Sequence, residues 1–212
     1  VLEVGADIGF ATDPDGDRLS IVSNTGKAIG EEYTIDLAFK TFISYKNSKI
    51  VTNLSTSRMI DDISSGSIRT KIGEAHVVGK MKELAIDIGG EGNGGVILSE
   101  VHLGRDSLVA ISMILNLLSN DGRPLNEIIA EIPQYIFLKD KIKIDDSINF
   151  DTLATVFDCD EINREDGIKF SWPKKWIHIR KSNTEPIIRI FAEAESLSEV
   201  NDLIQTLKDY LK

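Results

Sequence analysis

Three aspartates, Asp13, Asp15 and Asp17, stand on alternate positions of a short turn near the start of the chain. Arg18 follows them directly, and a strand-like run at residues 6–12 precedes them. Carboxylates at this spacing can point toward one centre, and such hard oxygen ligands suit Mg²⁺. A solvated acidic turn is the simpler interpretation, since Asp, Pro and Gly are common in turns. Three aspartates of period two directly after a buried strand favour the magnesium site.

The loop also admits two other interpretations. A calcium-binding EF-hand is excluded, because its sixth position should be Gly but is Arg18 and its twelfth should be Glu but is Asn24. The pattern strand-Asp-x-Asp-Gly also resembles the nucleophile loop of haloacid-dehalogenase phosphatases, with Asp13 as nucleophile and Asp15 as acid/base. That loop has Thr where Asp17 stands, so the phosphatase ranks second.

A glycine-rich stretch at residues 89–95 carries one carboxylate, Glu91, and one amide, Asn93. Glycines let the backbone approach a ligand closely, and these two side chains could hold sugar hydroxyls. The alternative is a plain connector, and we expect the stretch to interrupt regular structure. It is neither a Walker loop nor a dinucleotide-binding fingerprint, because no Lys-Ser/Thr follows and the glycine spacing is different.

The turn at residues 180–189 combines hydroxyl and guanidinium groups: Arg180, Ser182, Thr184 and Arg189. With free backbone N–H groups, these are the donors that bind a phosphate dianion. Nearby lysines make this the most basic part of the chain, and they are Lys169, Lys174, Lys175 and Lys181. A solvated hairpin with ordinary surface lysines is the alternative.

Composition narrows the classes of function. The 212 residues include 24 basic and 34 acidic ones, a balance of 24 − 34 = −10, so nucleic-acid binding by bulk electrostatics is not expected. A phosphorylated small molecule needs a local basic site in such a chain. No apolar run approaches the roughly 18–20 residues of a membrane span, so no membrane partner is expected. The single cysteine, Cys159, allows neither an internal disulfide nor a structural zinc cluster, and we expect a cytoplasmic protein.

The pattern of predicted strands and helices indicates two regions of different fold class. Strands alternate with helices up to about residue 120, which favours an α/β layer fold with a largely parallel sheet. Its helix at residues 107–118 is apolar nearly all round and is expected to be buried. After the turn at 121–124, alternating strands and a final helix, opened by a capping box at 196–199, predict a small α+β domain with an antiparallel sheet. The chain opens on a strand without preceding neighbours, so we expect a fragment of a longer protein.

The ordered set Asp-x-Asp-x-Asp-Arg, Gly-Glu-x-Asn-Gly and Arg-x-Ser-x-Thr-Glu-Pro-x-x-Arg resembles the α-D-phosphohexomutase superfamily. This group contains phosphoglucomutases, phosphomannomutases and phosphoglucosamine mutases. The resemblance covers essentially the whole chain and implies the C-terminal half of a four-domain enzyme. Residues 1–23 would be the end of domain 2 with the metal loop, 24–120 the sugar-binding domain 3, and 121–212 the phosphate-binding domain 4.

The resemblance also implies roles for individual residues. Mg²⁺ would be bound by Asp13, Asp15 and Asp17, with Arg18 beside the transferring phosphoryl group. Lys71, in the segment Arg69-Thr-Lys-Ile-Gly-Glu74, would be the acid/base. The remaining residues would bind substrate, Glu91 and Asn93 at the sugar hydroxyls and Arg180, Ser182, Asn183, Thr184 and Arg189 at the non-reacting phosphate.

The implied reaction interconverts hexose 1-phosphate and 6-phosphate through a phosphoserine and a bisphosphate. The family's serine lies in a Thr-x-Ser-His-Asn-Pro segment of domain 1, and no Ser-His-Asn occurs in this chain. The chain alone is therefore expected to be inactive, with a hexose phosphate and the missing N-terminal half as partners. Departures at Asn93, Gly95, Lys181 and Asn183 leave the hexose open. A phosphatase using Asp13 and a non-catalytic sugar-phosphate-binding protein remain the alternatives.

Overall fold

The computed structural model describes residues 1–44, 49–143, 150–182 and 185–211. Its contacts divide the chain into two compact units, Val1–Pro133 and Gln134–Lys212. The elements of the first unit are β1 Ile8–Thr12, β2 Leu19–Ser23, α1 Glu32–Ile43, β3 Ile50–Asn53, α2 Met59–Ile63, β4 Ser67–Thr70, α3 Glu74–Leu84, β5 Ile88–Glu91, β6 Gly95–Leu98, α4 Ser107–Asp121 and α5 Leu125–Ala130. Those of the second unit are β7 Ile136–Lys143, α6 Phe150–Leu153, β8 Glu161–Asn163, β9 Ile168–Ser171, β10 Trp176–Lys181, β11 Ile187–Ala194 and α7 Leu197–Tyr210.

The first unit is a three-layer α/β/α arrangement around a four-stranded sheet of order β4-β3-β5-β6. Strand β3 runs parallel to β4 and β5, while β6 is antiparallel to β5. A Cβ built on Gly89 would touch Met81 of α3, and one on Gly90 would touch Ile35 of α1. Because neighbouring residues of a strand face opposite sides, α3 and α1 cover opposite faces of the sheet.

The expectation that the glycine-rich stretch breaks regular structure is wrong for its first half. Residues 88–91 form β5, which pairs with β6 in the register Gly89↔Ile97 and Glu91↔Gly95. Only the short turn between the two strands is irregular. Glycine is needed inside β5 because helices press on both faces of the strand, so Glu91 is held at the end of a fixed element.

Helix α4 is half exposed rather than buried. Val109, Ala110 and Ile114 face the interior, whereas Leu108 and Leu115 are 72% and 46% exposed. An outer-layer helix buries only the side that packs on α1 and β6, so its all-round apolar sequence does not imply full burial.

The antiparallel ribbon β1–β2 belongs to the first unit, with Phe10 opposite Ile21. Helix α5 also belongs there, since the side chains of Asn24 and Asn126 are hydrogen-bonded at 2.7 Å. The compact units therefore separate after Pro133, beyond the turn at 121–124 where a boundary was expected. The assignment of residues 1–23, 24–120 and 121–212 to three family domains stays a prediction.

The second unit is an antiparallel sheet of order β7-β11-β10-β9-β8 with α7 on one face. Its core contains Ile179 of β10, Ile188 and Ile190 of β11, and Leu207 of α7. The predicted helix start is confirmed, because the Ser196 hydroxyl accepts a hydrogen bond from the Glu199 backbone N–H. In the part of the chain that the structure describes, no helix combines the length and apolar character that crossing a membrane requires.

Candidate active site

The aspartate loop between β1 and β2 is closed on itself by Asp13. Its Oδ1 accepts hydrogen bonds from the backbone N–H groups of Asp17 and Arg18, both at 3.2 Å, and its Oδ2 accepts one from Arg18 Nε at 2.8 Å. Desolvation acts to raise the pKa of Asp13, but the side-chain and backbone hydrogen bonds from Arg18 outweigh it, so this pKa is lowered. The loop therefore presents an ionised carboxylate beside a guanidinium, with Asp15 exposed at its tip.

Asp17 carries the feature that fits a cation. Its Oδ1 is buried and accepts no hydrogen bond, with Arg18 Nε at 3.6 Å. A buried carboxylate oxygen without a hydrogen bond is costly, and a divalent cation would supply a direct ligand contact. Among the described residues no three metal-ligating side chains converge, since Asp13 is turned to Arg18 and Asp15 lies in solvent. The donor set thus fits Mg²⁺ by its oxygen chemistry and by this one oxygen, without a closed cluster of carboxylates.

The turn between β5 and β6 meets the aspartate loop directly. The backbone N–H of Leu19 donates to the carbonyl of Gly94 at 3.0 Å. A cleft of about 330 Å³ lies there, lined by Asp13, Arg18 and Asn93 among others. Asn93 Oδ1 accepts a hydrogen bond from Gly95 N, which shapes the turn. Residues from the first two predicted motifs therefore share one cavity.

Glu91 is buried, at 3% exposure, and both of its carboxylate oxygens have partners. Oε1 accepts hydrogen bonds from Asn53 Nδ2 at 2.7 Å and from Gly73 N at 3.0 Å, and Oε2 accepts one from Arg105 Nη1 at 2.9 Å. The bond to Gly73 brings the loop that follows β4 to this point. Lys71 stands two residues before Gly73 on that loop and is exposed.

Arg105 is a site residue that the sequence motifs do not predict. This residue precedes α4 and contacts carboxylates of Asp17, Glu74 and Glu91. Its surroundings in the sequence, Gly104-Arg-Asp-Ser107, show no spacing that marks a site. Only the folded arrangement reveals it.

The phosphate-binding candidates lie in the second unit, where Arg180 of β10 and Arg189 of β11 are directly opposite each other. Their neighbours Ile179, Ile188 and Ile190 belong to the core under α7, so the two arginines point to the other face. Like charges directly opposite destabilise a strand pair, and an anion between them would remove that cost.

Each arginine also has a protein partner. Arg180 Nε lies 3.3 Å from Asp166 Oδ1, and Arg189 Nη2 lies 2.8 Å from Glu185 Oε2. Arg189 Nε donates to Ser182 Oγ at 3.4 Å, which brings three of the predicted residues together. Asn183 and Thr184 lie outside the described residues.

The lysines near this turn have local partners. Lys169 is buried over the Trp176 ring at 4.1 Å, Lys175 lies over Trp172, and Lys174 pairs with Glu195 at 3.4 Å. These contacts favour a structural role for the three lysines over direct participation in a phosphate site.

Comparisons with known proteins cover both units. The family model "Phosphoglucomutase/phosphomannomutase, alpha/beta/alpha domain III" matches residues 30–135, and the model of the C-terminal domain of the same family matches residues 138–209. A "Probable phosphoglucosamine mutase" of Methanopyrus kandleri is 31% identical over 98% of this chain and 48% of its own length. The chain thus spans about half the length of the curated relatives it matches.

Two solved structures have the same fold. A phosphoglucomutase/phosphomannomutase family protein of Burkholderia thailandensis superimposes with a TM-score of 0.81 at 24% identity, over 98% of this chain and 46% of that one. An N-acetylphosphoglucosamine mutase of Aspergillus fumigatus, solved in complex with GlcNAc-6P and magnesium, gives a TM-score of 0.70 at 16% identity, over 96% and 52% of the two chains.

Proposed function

This chain belongs to the phosphoglucomutase/phosphomannomutase family, and we propose that it supplies the metal, sugar and phosphate loops of an enzyme that interconverts hexose 1- and 6-phosphates. The observation that carries the proposal is the shared cleft of Asp13, Arg18 and Asn93, closed by the Leu19–Gly94 hydrogen bond. Groups that bind the cation, the phosphoryl group and the sugar hydroxyls must act on one bound sugar, and the proximity of Asp13, Arg18 and Asn93 in this cleft supports these roles.

In the proposed reaction a phosphoryl group passes from a serine of the missing N-terminal half to a free hydroxyl of the hexose phosphate. The serine O–P bond breaks, the new O–P bond forms, and the hydroxyl proton leaves to a base. Return of the other phosphate to the serine completes the interconversion. Mg²⁺ bound at Asp13, Asp15 and Asp17 would supply charge neutralisation at the transferring group.

This chain's own residues have separate tasks in that scheme. Arg18 stabilises negative charge on the transferring group, as preorganised cations do. Lys71 accepts or returns the hydroxyl proton. Glu91 and Asn93 orient the sugar hydroxyls, and the fixed carboxylate of Glu91 retains a lone pair on Oε2 beside the Arg105 bond.

The phosphate that does not react binds in the second unit. Arg180, Ser182 and Arg189 offer two guanidiniums and a hydroxyl on one edge of the turn, with Asn183 and Thr184 proposed as further donors. Charge-assisted hydrogen bonds of this kind hold a dianion strongly. They hold it equally before and after transfer, so they fix the substrate rather than accelerate the chemistry.

Two measurements on the purified chain test the proposal. In ³¹P NMR titrations, glucose, mannose and glucosamine 6-phosphates are added to the wild type, to Arg189→Gln and to Arg123→Gln. We expect binding to the wild type and to Arg123→Gln, and about tenfold or greater weakening in Arg189→Gln, because one charge-assisted bond is lost. The Arg123 variant controls for loss of a surface guanidinium paired with Asp121 and Glu131.

A coupled assay with glucose 1-phosphate and a trace of glucose 1,6-bisphosphate addresses catalysis. We expect no turnover by the chain alone, because no Ser-His-Asn segment is present in it. Turnover would contradict the assignment of the serine to the missing half. Release of inorganic phosphate that Asp13→Asn abolishes would instead establish the phosphatase, and binding of none of the sugar phosphates would reject a sugar-phosphate function altogether.

A further inference from the structure

Arg105 uses its whole guanidinium on three carboxylates. Nη2 donates to Asp17 Oδ2 at 2.5 Å, Nε to Glu74 Oε2 at 3.0 Å, and Nη1 to Glu91 Oε2 at 2.9 Å. Its backbone N–H also lies 3.4 Å from Glu74 Oε2. The Arg105 side chain is 20% exposed and that of Glu91 only 4%, so the bond between these two is largely shielded from water.

The three carboxylates come from three different loops. Asp17 belongs to the aspartate loop, Glu91 ends β5 where the glycine turn begins, and Glu74 opens α3 directly after the Lys71 loop. Asp17 and Arg105 are separated by 88 positions in the chain. One planar fork is therefore the common partner of every first-unit segment that the proposed function uses.

The backbone around Arg105 is itself fixed. Asp106 N donates to Val96 O at 2.9 Å, and Asp106 Oδ1 accepts from Leu108 N and Val109 N, which caps α4. A Cβ on Gly95 would lie 2.3 Å from Arg105 Cδ, so the glycine leaves the space through which the side chain passes. Contacts with β6 and the start of α4 thus fix the backbone that carries the Arg105 side chain.

We propose that Arg105 is a positioning residue that locks the aspartate loop, the glycine turn and the Lys71 loop into one arrangement. Because Arg105 bonds Oδ2 of Asp17, the oxygen of Asp17 that is left without a hydrogen bond is the buried Oδ1. Lysine keeps the charge but has a single ammonium group, so it cannot reproduce the three-way fork. The ligands assigned to the three loops rest on the proposed function. The coupling of the loops by Arg105 is independent of it.

Hydrogen exchange of Arg105→Lys tests the coupling, with Arg123→Lys as the matched control. Arg123 also forms a fork to two carboxylates but at the surface, with its side chain 41% exposed. Reporter amides are those of Asp17 and Arg18, bonded to Asp13, and Gly73, bonded to Glu91. We expect Arg105→Lys to speed exchange about tenfold in peptides covering residues 13–18, 71–74 and 89–95, with other peptides unchanged, and Arg123→Lys to leave all three as in the wild type.

Mn²⁺ binding, followed by electron paramagnetic resonance, is a second measurement. Its Kd would not change if Arg105 only stabilised the fold. We expect the Kd for Mn²⁺ to rise about fivefold to tenfold in Arg105→Lys and to stay unchanged in Arg123→Lys, because the charge is conserved and only the orientation of Asp17 is lost. A wild type that binds no Mn²⁺ would contradict the metal part of the proposed function, and the exchange data would then decide the inference alone.

Exchange that rises in only one of the three loops, or equally in both variants, would overturn the inference. Should Arg105→Lys fail to fold, Glu74→Gln replaces it, since the Glu74 side chain is 38% exposed and its loss leaves both other contacts in place. We expect Glu74→Gln to speed exchange at Asp17 and Gly73 as well as at its own loop. Faster exchange confined to the start of α3 would reject the coupling.

Discussion

The carboxylate of Glu91 accepts hydrogen bonds from three separate parts of the chain, through Asn53, Gly73 and Arg105. A buried carboxylate surrounded by donors is stable only while every donor finds an acceptor. Glu91 therefore holds three segments of the candidate site together, and the ligand contact proposed for it would use the same two oxygen atoms.

The variant Glu91→Gln removes the negative charge of the side chain and keeps its size and shape. One oxygen becomes an NH₂ group that faces N–H donors, so at least one buried hydrogen bond is lost and Arg105 loses part of its countercharge. We expect the free energy of unfolding of the first unit to fall by about 2–4 kcal/mol, measured by urea denaturation followed by circular dichroism.

The control is Glu83→Gln, which removes an exposed pair with Lys80. A change below about 0.5 kcal/mol is expected there. Equal effects of the two substitutions would show that the network around Glu91 contributes nothing beyond an ordinary surface pair.

Residue types were easier to predict than their partners. The period-two aspartates and the pair Glu91 and Asn93 stand out in the sequence because spacing and glycine content mark them. Arg105 does not, because its partners are 14 to 88 positions away and no local pattern records such contacts. The roles of the predicted site residues stay predictions until ligand binding is measured.

At the scale of elements, the β5–β6 hairpin decides whether the two loops meet. Gly94 has φ of +88°, a conformation that L side chains rarely adopt, and a Cβ there would lie 2.4 Å from the carbonyl oxygen of Leu19. The close backbone approach and the positive φ both require glycine. The hydrogen bond from Leu19 N to Gly94 O depends on this approach.

We expect Gly94→Ala to push the glycine turn away from the aspartate loop and to weaken binding of Mn²⁺ at least about tenfold, since sub-ångström positioning governs such sites. Gly122→Ala is the matched control, because Gly122 has φ of +76° but nothing within 4 Å of its Cβ position. Gly122→Ala therefore introduces backbone strain without a steric clash, and we expect it to lower the free energy of unfolding by about 1–2 kcal/mol. Isothermal titration with Mn²⁺ and thermal unfolding of both variants make the comparison, and equal Kd values would contradict the role given to Gly94.

Elements with a strong local signal were predicted well. Ser196 starts α7 through its own side chain, as the capping box at residues 196–199 predicts. The glycine-rich strand β5 was not recognised, because glycine has low strand propensity and its use here is set by α1 and α3 pressing from both faces. Short strands such as β8, three residues long, carry too little pattern to be read from sequence.

At the scale of the whole molecule, the two compact units have separate cores, and both tryptophans, Trp172 and Trp176, lie in the second. His178 is fully buried in that unit, and its Nε2 donates to the Asp166 backbone carbonyl at 2.6 Å. Desolvation lowers the pKa of His178 to about 4, in spite of that hydrogen bond. Tryptophan fluorescence therefore reports on the unit that contains the perturbed histidine.

This lowered pKa predicts acid sensitivity of the second unit. Above the unfolded-state pKa, about 6.5, His178 is neutral in both states and costs nothing. As pH falls from about 6.5 to about 4, only the unfolded state takes up the proton, so stability is lost across this window, up to about 3 kcal/mol. Below about pH 4 both states are protonated and the loss is constant.

The measurement is urea unfolding of the wild type and His178→Gln, followed by tryptophan fluorescence between pH 7 and pH 4. Glutamine keeps an N–H donor for Asp166 without titrating. As pH falls, we expect the free energy of unfolding of the wild type to decrease relative to that of His178→Gln. His76 is an exposed histidine of the first unit, and we expect His76→Gln to follow the wild type. Parallel pH profiles for all three proteins would contradict the assignment to His178.

Strand β7 stands at one end of the second unit's sheet, and a free edge is a template for pairing with another chain. Its sequence places Lys139, Lys141 and Lys143 on one face. Suppose that β7 of a second copy pairs antiparallel with β7 of the first, with the two Lys141 residues opposite each other. Lys139 of each strand would then lie opposite Lys143 of the other. Like charges directly opposite oppose pairing, so electrostatic repulsion encoded in the strand itself disfavours sheet extension in this register.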